Sequence, residues 1–278
     1  YVVGLDYADA TLSAHDVLQE FKTHPFIRSL LEGGERVAWG AKTIPGGGFW
    51  GLPSRMHVPG AVMVGDSAGF VDMAALKGVN YAIRSGMLAA EAIYEALKAG
   101  KATTPAGLWG YTTRVRESEI WRDLWKVRNI RPAFQKGYVY GGMIHGMATA
   151  SFGRMPRKRV RFKPDVREPV FIGSRASRYP KPDGEYIFDK LSSVFASGNQ
   201  TRDDQPSHIR IRTQVPRELA VAWEWMCPAK VYEIADQEPQ NGMVTVHVNP
   251  SNCVQCGAIT AKGGRLTPPE GGSGPEYT

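Results

Sequence analysis

Cysteine is scarce: the 278 residues contain three. An odd number with no secretory pattern around it excludes a disulfide framework and directs attention to metal or redox chemistry. No apolar run reaches the roughly 18 residues that a membrane-crossing helix needs, so no transmembrane span is expected. Internal repeats are missing, and so are an initiator methionine and any leader pattern. Tyr1-Val-Val-Gly-Leu-Asp reads like the middle of a strand. The expectation is a portion of a longer reading frame, with targeting information upstream. Against these absences, an apolar fraction of 42% with many aromatics fits a folded protein of one large domain or two ordinary ones. A net charge of +7 and a pI near 9.3 favour an anionic partner: a lipid headgroup, nucleic acid or an acidic protein.

Three textures follow one another. Residues 1 to about 135 read as an α/β unit. Ser13 caps a helix over Ala14–Thr23, Ala61–Val64 reads as a buried strand, and an amphipathic helix runs from Val79 to Lys98 until Gly100 stops it. Its apolar face is expected to be Val79, Ile83, Met87, Ala90, Ile93 and Leu97. A second helix, rich in Trp and Arg, spans about Leu108 to Arg128. The stretch from Gly137 to Lys163 starts apolar and glycine-rich and ends basic. From about Tyr179 onward, short alternating runs such as Met243–Val248 between Pro and Gly suggest a small α+β module of hairpins and loops.

The strongest local signal in the first section is the run from Val58 to Phe70, followed by Lys77-Gly78 and the long helix. An Asp at a strand end accepts hydrogen bonds from ribityl or ribose hydroxyls. Gly65, Ala68 and Gly69 let the backbone approach, and free N–H groups suit a pyrophosphate or a flavin edge. Gly65, Asp66, Ala68 and Gly69 are therefore candidate flavin contacts; an ordinary strand–turn–helix explains the same residues. Gly46-Gly-Gly-Phe-Trp-Gly51 satisfies G-x-G-x-x-G, but Pro45 and Pro53 flank it and no helical period begins there, so it is rejected as a nucleotide loop.

Cys253-Val-Gln-Cys256 is a C-x-x-C pair, with Cys227-Pro upstream. C-x-x-C lets two thiolates bind one cluster from a single turn, and Cys-Pro is a frequent form of the remote ligand of a ferredoxin-like cluster. Zinc with His247 as a further ligand, a redox dithiol and no metal at all remain open beside that reading.

The run from Gly137 to Phe152 is too short to span a bilayer. It suits either an interfacial segment with Tyr138, Tyr140, Met143, Ile144, Met147 and Phe152 against lipid, or a buried glycine-rich hairpin. Arg154, Arg157, Lys158, Arg159, Arg161 and Lys163 follow, at headgroup depth in the first reading. No RNP, zinc-finger or helix-turn-helix pattern accompanies them, so no nucleic-acid partner is expected. His24 and His208 have no Ser or Cys partner at motif spacing, and no hydrolase is expected.

Phe21-Lys-Thr-His-Pro-Phe-Ile, Leu31-Glu-Gly-Gly, Gly65-Asp-Ser-Ala-Gly-Phe, Ala89-Ala-Glu-Ala-Ile and Val127-Arg-Asn-Ile-Arg-Pro resemble the flavin domain of the electron transfer flavoprotein–ubiquinone oxidoreductase family. Tyr179-Pro-Lys-Pro-Asp-Gly, Asp189-Lys-Leu-Ser-Ser-Val, Asp204-Gln-Pro-Ser-His-Ile, Cys227-Pro-Ala-Lys-Val-Tyr-Glu and Pro269-Glu-Gly-Gly-Ser-Gly-Pro continue the resemblance in the same order, over almost the whole chain. It implies the carboxy-terminal part of a monotopic enzyme holding FAD, one 4Fe-4S cluster and a ubiquinone site. Such an enzyme passes electrons from reduced electron transfer flavoprotein to the quinone pool. It also implies peripheral attachment to a bacterial cytoplasmic membrane or the mitochondrial inner membrane, and it favours the interfacial reading of Gly137–Phe152. The expected fold is α/β over 1–165, a partial FAD- and ubiquinone-binding domain, then a small α+β ferredoxin-like iron–sulfur module over 166–278. One departure stands out. The family pattern carries C-x-x-C-x-x-C, and Ile259 fills its third position, leaving Cys227, Cys253 and Cys256 for a 4Fe-4S cluster with another fourth ligand, a 3Fe-4S cluster, or none. Two rival functions stay open: a geranylgeranyl-reductase-type flavoenzyme acting on a lipid, and a non-catalytic membrane-docked module.

Overall fold

The computed structural model describes residues 1–202, 204–235, 241–269 and 274–275. Most of Pro269-Glu-Gly-Gly-Ser-Gly-Pro lies outside them. In chain order the helices are α1 (Ala14–Lys22), α2 (Pro25–Leu31), α3 (Val79–Lys98), α4 (Trp109–Glu117), α5 (Glu119–Lys126), α6 (Ile130–Phe134), α7 (Tyr138–Ala150), α8 (Lys190–Phe195) and α9 (Arg217–Met226). The strands are β1 (His57–Val58), β2 (Ala61–Val62), β3 (Ile209–Arg210), β4 (Gln214–Pro216), β5 (Tyr232–Ile234), β6 (Met243–Val248) and β7 (Arg265–Leu266). They fall into two compact units, residues 1–43 with 163–278 and residues 44–162.

The 44–162 unit is helical apart from one short hairpin, β1–β2. Ala61–Val64, expected as a buried strand, pairs over only two residues, and Met63 and Val64 lie exposed. Its core is Met56, Phe70, Leu88, Tyr111, Val115, Ile120 and Leu124. α3 has the expected bounds but turns the unexpected face inward. Tyr81, Ser85, Leu88, Ala89, Ala92 and Ala96 are buried, while Val79, Ile83, Met87 and Leu97 are exposed. Small side chains let the neighbouring helix come close, and the Ser85 hydroxyl accepts the Gly65 N–H at 2.9 Å. The expected single helix over 108–128 is two, broken where Ser118 adopts an extended conformation between α4 and α5.

The Val127-Arg-Asn-Ile-Arg-Pro run ties the basic loop to this unit. Arg128, 4% exposed, donates to the carbonyls of Trp125, Gly153 and Pro156, and its guanidinium lies 3.6 Å from the Trp125 ring centroid. Asn129 donates to the Pro156 and Lys158 carbonyls and accepts from the Val160 N–H. Buried polar groups satisfied in this way are costly to disturb.

The other unit is α+β. β6 lies between β4 and β5, antiparallel to both, and β3 pairs with β7. α9 packs on this sheet through Ala220, Trp223 and Met226, joining Val231, Val244, Val246 and Val254 in one core. Local caps start two of its helices: Ser13 accepts the Asp16 N–H at the head of α1, and Asp189 accepts the Ser192 N–H at the head of α8. That bond holds the Asp189 carboxyl below its usual pKa.

Candidate functional site

Cys227 ends α9 because Pro228 follows it, and a residue before proline is driven out of the helical region. It is extended and donates its N–H to the Trp223 carbonyl. The chain then turns through Lys230 at φ +50°, and the Val231 N–H reaches back to the Cys227 sulfur at 3.4 Å. The second arm leaves β6, makes a short turn over Pro250–Asn252 and presents Cys253. Gln255 and Gly257 both have positive φ, which folds the C-x-x-C into a tight loop. Thr43 clamps that loop: its N–H and hydroxyl each donate to the Cys256 carbonyl at 2.8 Å, while Lys42 donates to the Gln255 carbonyl.

The three sulfurs, separated by up to 29 positions in sequence, line one cavity whose other walls are mainly apolar, among them Met226, Val231, Val254 and Leu266. All three are free thiols. Burial pushes Cys253 up to about 11 and Cys256 up to about 12, and it raises Cys227 as well. In such walls a thiolate needs metal cations beside it, and thiolates are what metal sites use. Among the described residues no group of three His, Cys, Asp or Glu side chains is arranged to hold a metal ion. In a cluster each iron takes its own thiolate. His247, the zinc candidate, is exposed on β6 opposite Glu233. Three thiols on one apolar cavity are the donor type an iron–sulfur cluster takes.

Gly65, Asp66 and Ala68 form one 3-10 turn that Gly69 closes in the left-handed region at φ +80°. A Cβ on Gly78 would meet an Asp66 carboxylate oxygen at 2.8 Å, and one on Gly65 would meet the Ala82 Cβ at 3.0 Å. Glycine is what lets this turn lie against the start of α3. Asp66 is exposed. The rejected Gly46–Gly51 loop is indeed neither strand-led nor helix-leading: it ends in a single 3-10 turn.

The run expected as an interfacial segment or hairpin is the helix α7. Tyr138, Met143, Met147 and Phe152 are exposed, Tyr140 is partly so, and Ile144 is buried against Ala133 and Val160. Gly141, Ile144 and Ala148 form the inward face, because the Phe134 ring leaves no room for a side chain at Gly141. Ile144 is therefore withdrawn from the lipid-facing set. Beside α7 lies a cleft of about 370 Å³ whose walls include Lys136, Lys158, Arg159 and Arg161.

A family model described as electron transfer flavoprotein–ubiquinone oxidoreductase, 4Fe-4S, matches residues 184–278. A second, described as ETF-QO, ubiquinone-binding, matches residues 1–44. The mitochondrial electron transfer flavoprotein–ubiquinone oxidoreductase of Caenorhabditis elegans is 36% identical over 293 residues, taking in 100% of this chain and 49% of its own length. That of Oryza sativa subsp. japonica is 37% identical over 290 residues, with shares of 100% and 49%. The human protein is 36% identical over 299 residues, with shares of 99% and 47%. The chain belongs to this family. It spans about half the length of the curated relatives it matches and corresponds to their carboxy-terminal part.

Two points of the sequence reading change within the electron transfer flavoprotein–ubiquinone oxidoreductase family. Phe21-Lys-Thr-His-Pro-Phe-Ile and Leu31-Glu-Gly-Gly, likened above to its flavin domain, fall in the stretch matched by the ubiquinone-binding model. There α2 buries none of its residues and exposes Phe26, Leu30 and Leu31. The signal was available, since apolar residues dominate a seven-residue helix. The second point is Ile259, which is 4% exposed and lines the same cavity as the three thiols. At the position where the family pattern has its third cysteine, an aliphatic side chain thus faces the cavity of the three thiols.

Proposed function

We propose that this chain supplies the iron–sulfur and quinone-facing portion of an enzyme that carries electrons from reduced electron transfer flavoprotein to ubiquinone at a membrane. The observation that carries this reading is the convergence of Cys227, Cys253 and Cys256 on one apolar cavity, inside the stretch matched by the 4Fe-4S model. Bound there, an iron–sulfur cluster supplies a one-electron relay. The three cysteines would hold it as thiolates, with the Val231 N–H stabilising the charge on Cys227. Thr43 and Lys42 keep the Cys253–Cys256 loop in shape, and the apolar walls keep water from the sulfurs.

Asp66 is the residue we assign to a ribityl or ribose hydroxyl of FAD, with Gly65, Ala68 and Gly69 giving the close approach. The exposed apolar residues of α2 would meet the quinone. Tyr138, Tyr140, Met143, Met147 and Phe152 around α7 would meet the lipid interface. Cations from Arg154 to Lys163 would meet the headgroups. No helix among the described residues is long and apolar enough to cross a membrane, so attachment would be peripheral. The relatives above are named as mitochondrial proteins, which makes the mitochondrial inner membrane one site for such attachment and the bacterial cytoplasmic membrane the other.

The test is iron and acid-labile sulfide analysis with EPR of the anaerobically purified chain, before and after dithionite. A signal from the reduced protein supports a four-iron cluster with a non-cysteine fourth ligand. A signal from the oxidised protein near g of about 2.01 supports a three-iron cluster on Cys227, Cys253 and Cys256. Iron-free protein, with or without zinc, overturns the redox role.

A further inference from the structure

α9 stops at Cys227, so the carbonyls of its last turn lie next to that thiol. The carboxy end of a helix carries the negative pole of its dipole and carbonyls that lack intrahelical partners. A thiolate and an electron added to a cluster are both disfavoured beside such an end. Lys190, the first residue of α8, answers it from a distant part of the chain. Its ammonium donates to the Glu224 carbonyl at 3.0 Å and the Trp225 carbonyl at 3.2 Å, and it lies 5.6 Å from the centroid of the Trp225 ring. α8 is set in place by its Asp189 cap, and the Ser193 hydroxyl bonds back to the Asp189 carbonyl. The lysine thus projects from an anchored turn.

We propose that Lys190 is a positioning residue that raises the reduction potential of the metal centre, by neutralising the end of α9 and holding a positive charge beside the Cys227 thiolate. The inference rests on the cluster reading above. The charges around Lys190 are mixed. Its pKa is lowered, chiefly by burial and further by Lys230, against the opposing pull of Cys227, Asp16 and Glu224. A basic group bonded to the last carbonyls of the helix that delivers Cys227 would act on potential through charge, one of the recognised determinants of cluster potentials.

The experiment compares Lys190→Met, Lys190→Gln and Lys190→Arg with the wild-type chain by iron and sulfide content and by EPR-monitored redox titration. Met keeps the stem without the charge, Gln keeps a hydrogen-bond donor without the charge, and Arg keeps the charge. Met and Gln are expected to load as much iron as wild type, with the equilibrium constant for one-electron reduction down about tenfold, a drop of ~59 mV. Arg is expected to stay near the wild-type potential. Wild-type potential in an iron-loaded Met or Gln variant overturns the proposal, as does a potential in the Arg variant as low as in Met. If Met fails to load, Gln decides by the same criterion. If neither uncharged variant loads while Arg does, the lysine serves assembly rather than potential, and the proposal falls. Wild-type chain without iron removes the cluster reading itself, a failure read from iron content before any potential is compared.

Discussion

The thiol cavity and the α7 segment are built on opposite plans. Around Cys227, Cys253 and Cys256 the large apolar side chains point in, the thiols are pushed towards neutrality, and the loop carbonyls are held by Thr43 and Lys42. Around α7 the large apolar side chains other than Ile144 point out. The inward face is Gly141, Ile144 and Ala148, and the polar anchoring comes from Arg128 and Asn129. The first plan keeps water from the three thiols. The second offers apolar and cationic groups to a surface outside the unit. Each plan is thus defined by which groups it withholds from water.

The largest effect should come from breaking the first plan at a ligand. Cys253→Ala removes one of three thiolates, and a cluster cannot be shared by the remaining two. The expected result is loss of essentially all bound iron and sulfide with the fold kept, checked by metal analysis and circular dichroism. Retention of half or more of the iron would show that Cys253 is not a ligand. Ile259→Cys sharpens the same comparison by adding a thiolate to the wall already facing the cavity. The expected outcome is a gain of one iron per chain if wild type holds three, or an altered signal at constant iron if it holds four. Losing a buried aliphatic side chain costs the metal-free protein about 1–3 kcal/mol, seen as a lower unfolding midpoint.

The second plan is tested on vesicles. Replacing Arg157, Lys158 and Arg159 together by Glu should abolish sedimentation with anionic vesicles, since each basic residue near such a surface contributes about 1 kcal/mol before screening. Phe152→Ser should weaken binding less, and weaken it equally on neutral vesicles, because it removes apolar area rather than charge. Equal binding by wild type and the triple variant would mean that the basic loop faces something other than lipid.

Legibility in the sequence followed the range of the interaction. Ser13 and Gly100 marked helix ends because caps and left-handed glycines act within a few residues. The C-x-x-C and Cys-Pro marked the residues of the thiol cavity because their turn chemistry is local. Which face a helix buries was not local. In α3 and α7 the contact runs through Ser85, Ala89, Ala92 and Ala96 and through Gly141 and Ala148, and a search for large apolar residues selects the opposite stripe. Thr43 on Cys256, 213 positions apart, and Lys190 on the end of α9 had no sequence signal at all. They are brought to the site by the fold, so only the structure names them.

The smallest effect is a pH dependence that compares one buried histidine from each unit. His57 bonds through Nδ1 to the Thr112 hydroxyl at 2.8 Å, whereas both ring nitrogens of His208 are buried without a partner. Burial lowers both pKa values, with Arg55 adding to the effect at His57. A histidine whose folded pKa lies below its unfolded value of about 6.5 is neutral in the fold and takes up a proton on unfolding. Its contribution is therefore present above pH 6.5 and is lost as pH falls below it. Urea unfolding from pH 7.5 down to pH 5 should show stability decreasing with acid. His208→Leu should flatten that decline at little cost at pH 7.5, because it replaces an unsatisfied polar ring with an apolar side chain. His57→Leu should flatten it too, but at a cost at every pH, since Thr112 is left with a buried hydroxyl and no ring to bond. Equal costs at pH 7.5 would mean that His208 has a partner in solution, and that its apparent isolation is filled by a group the protein binds there.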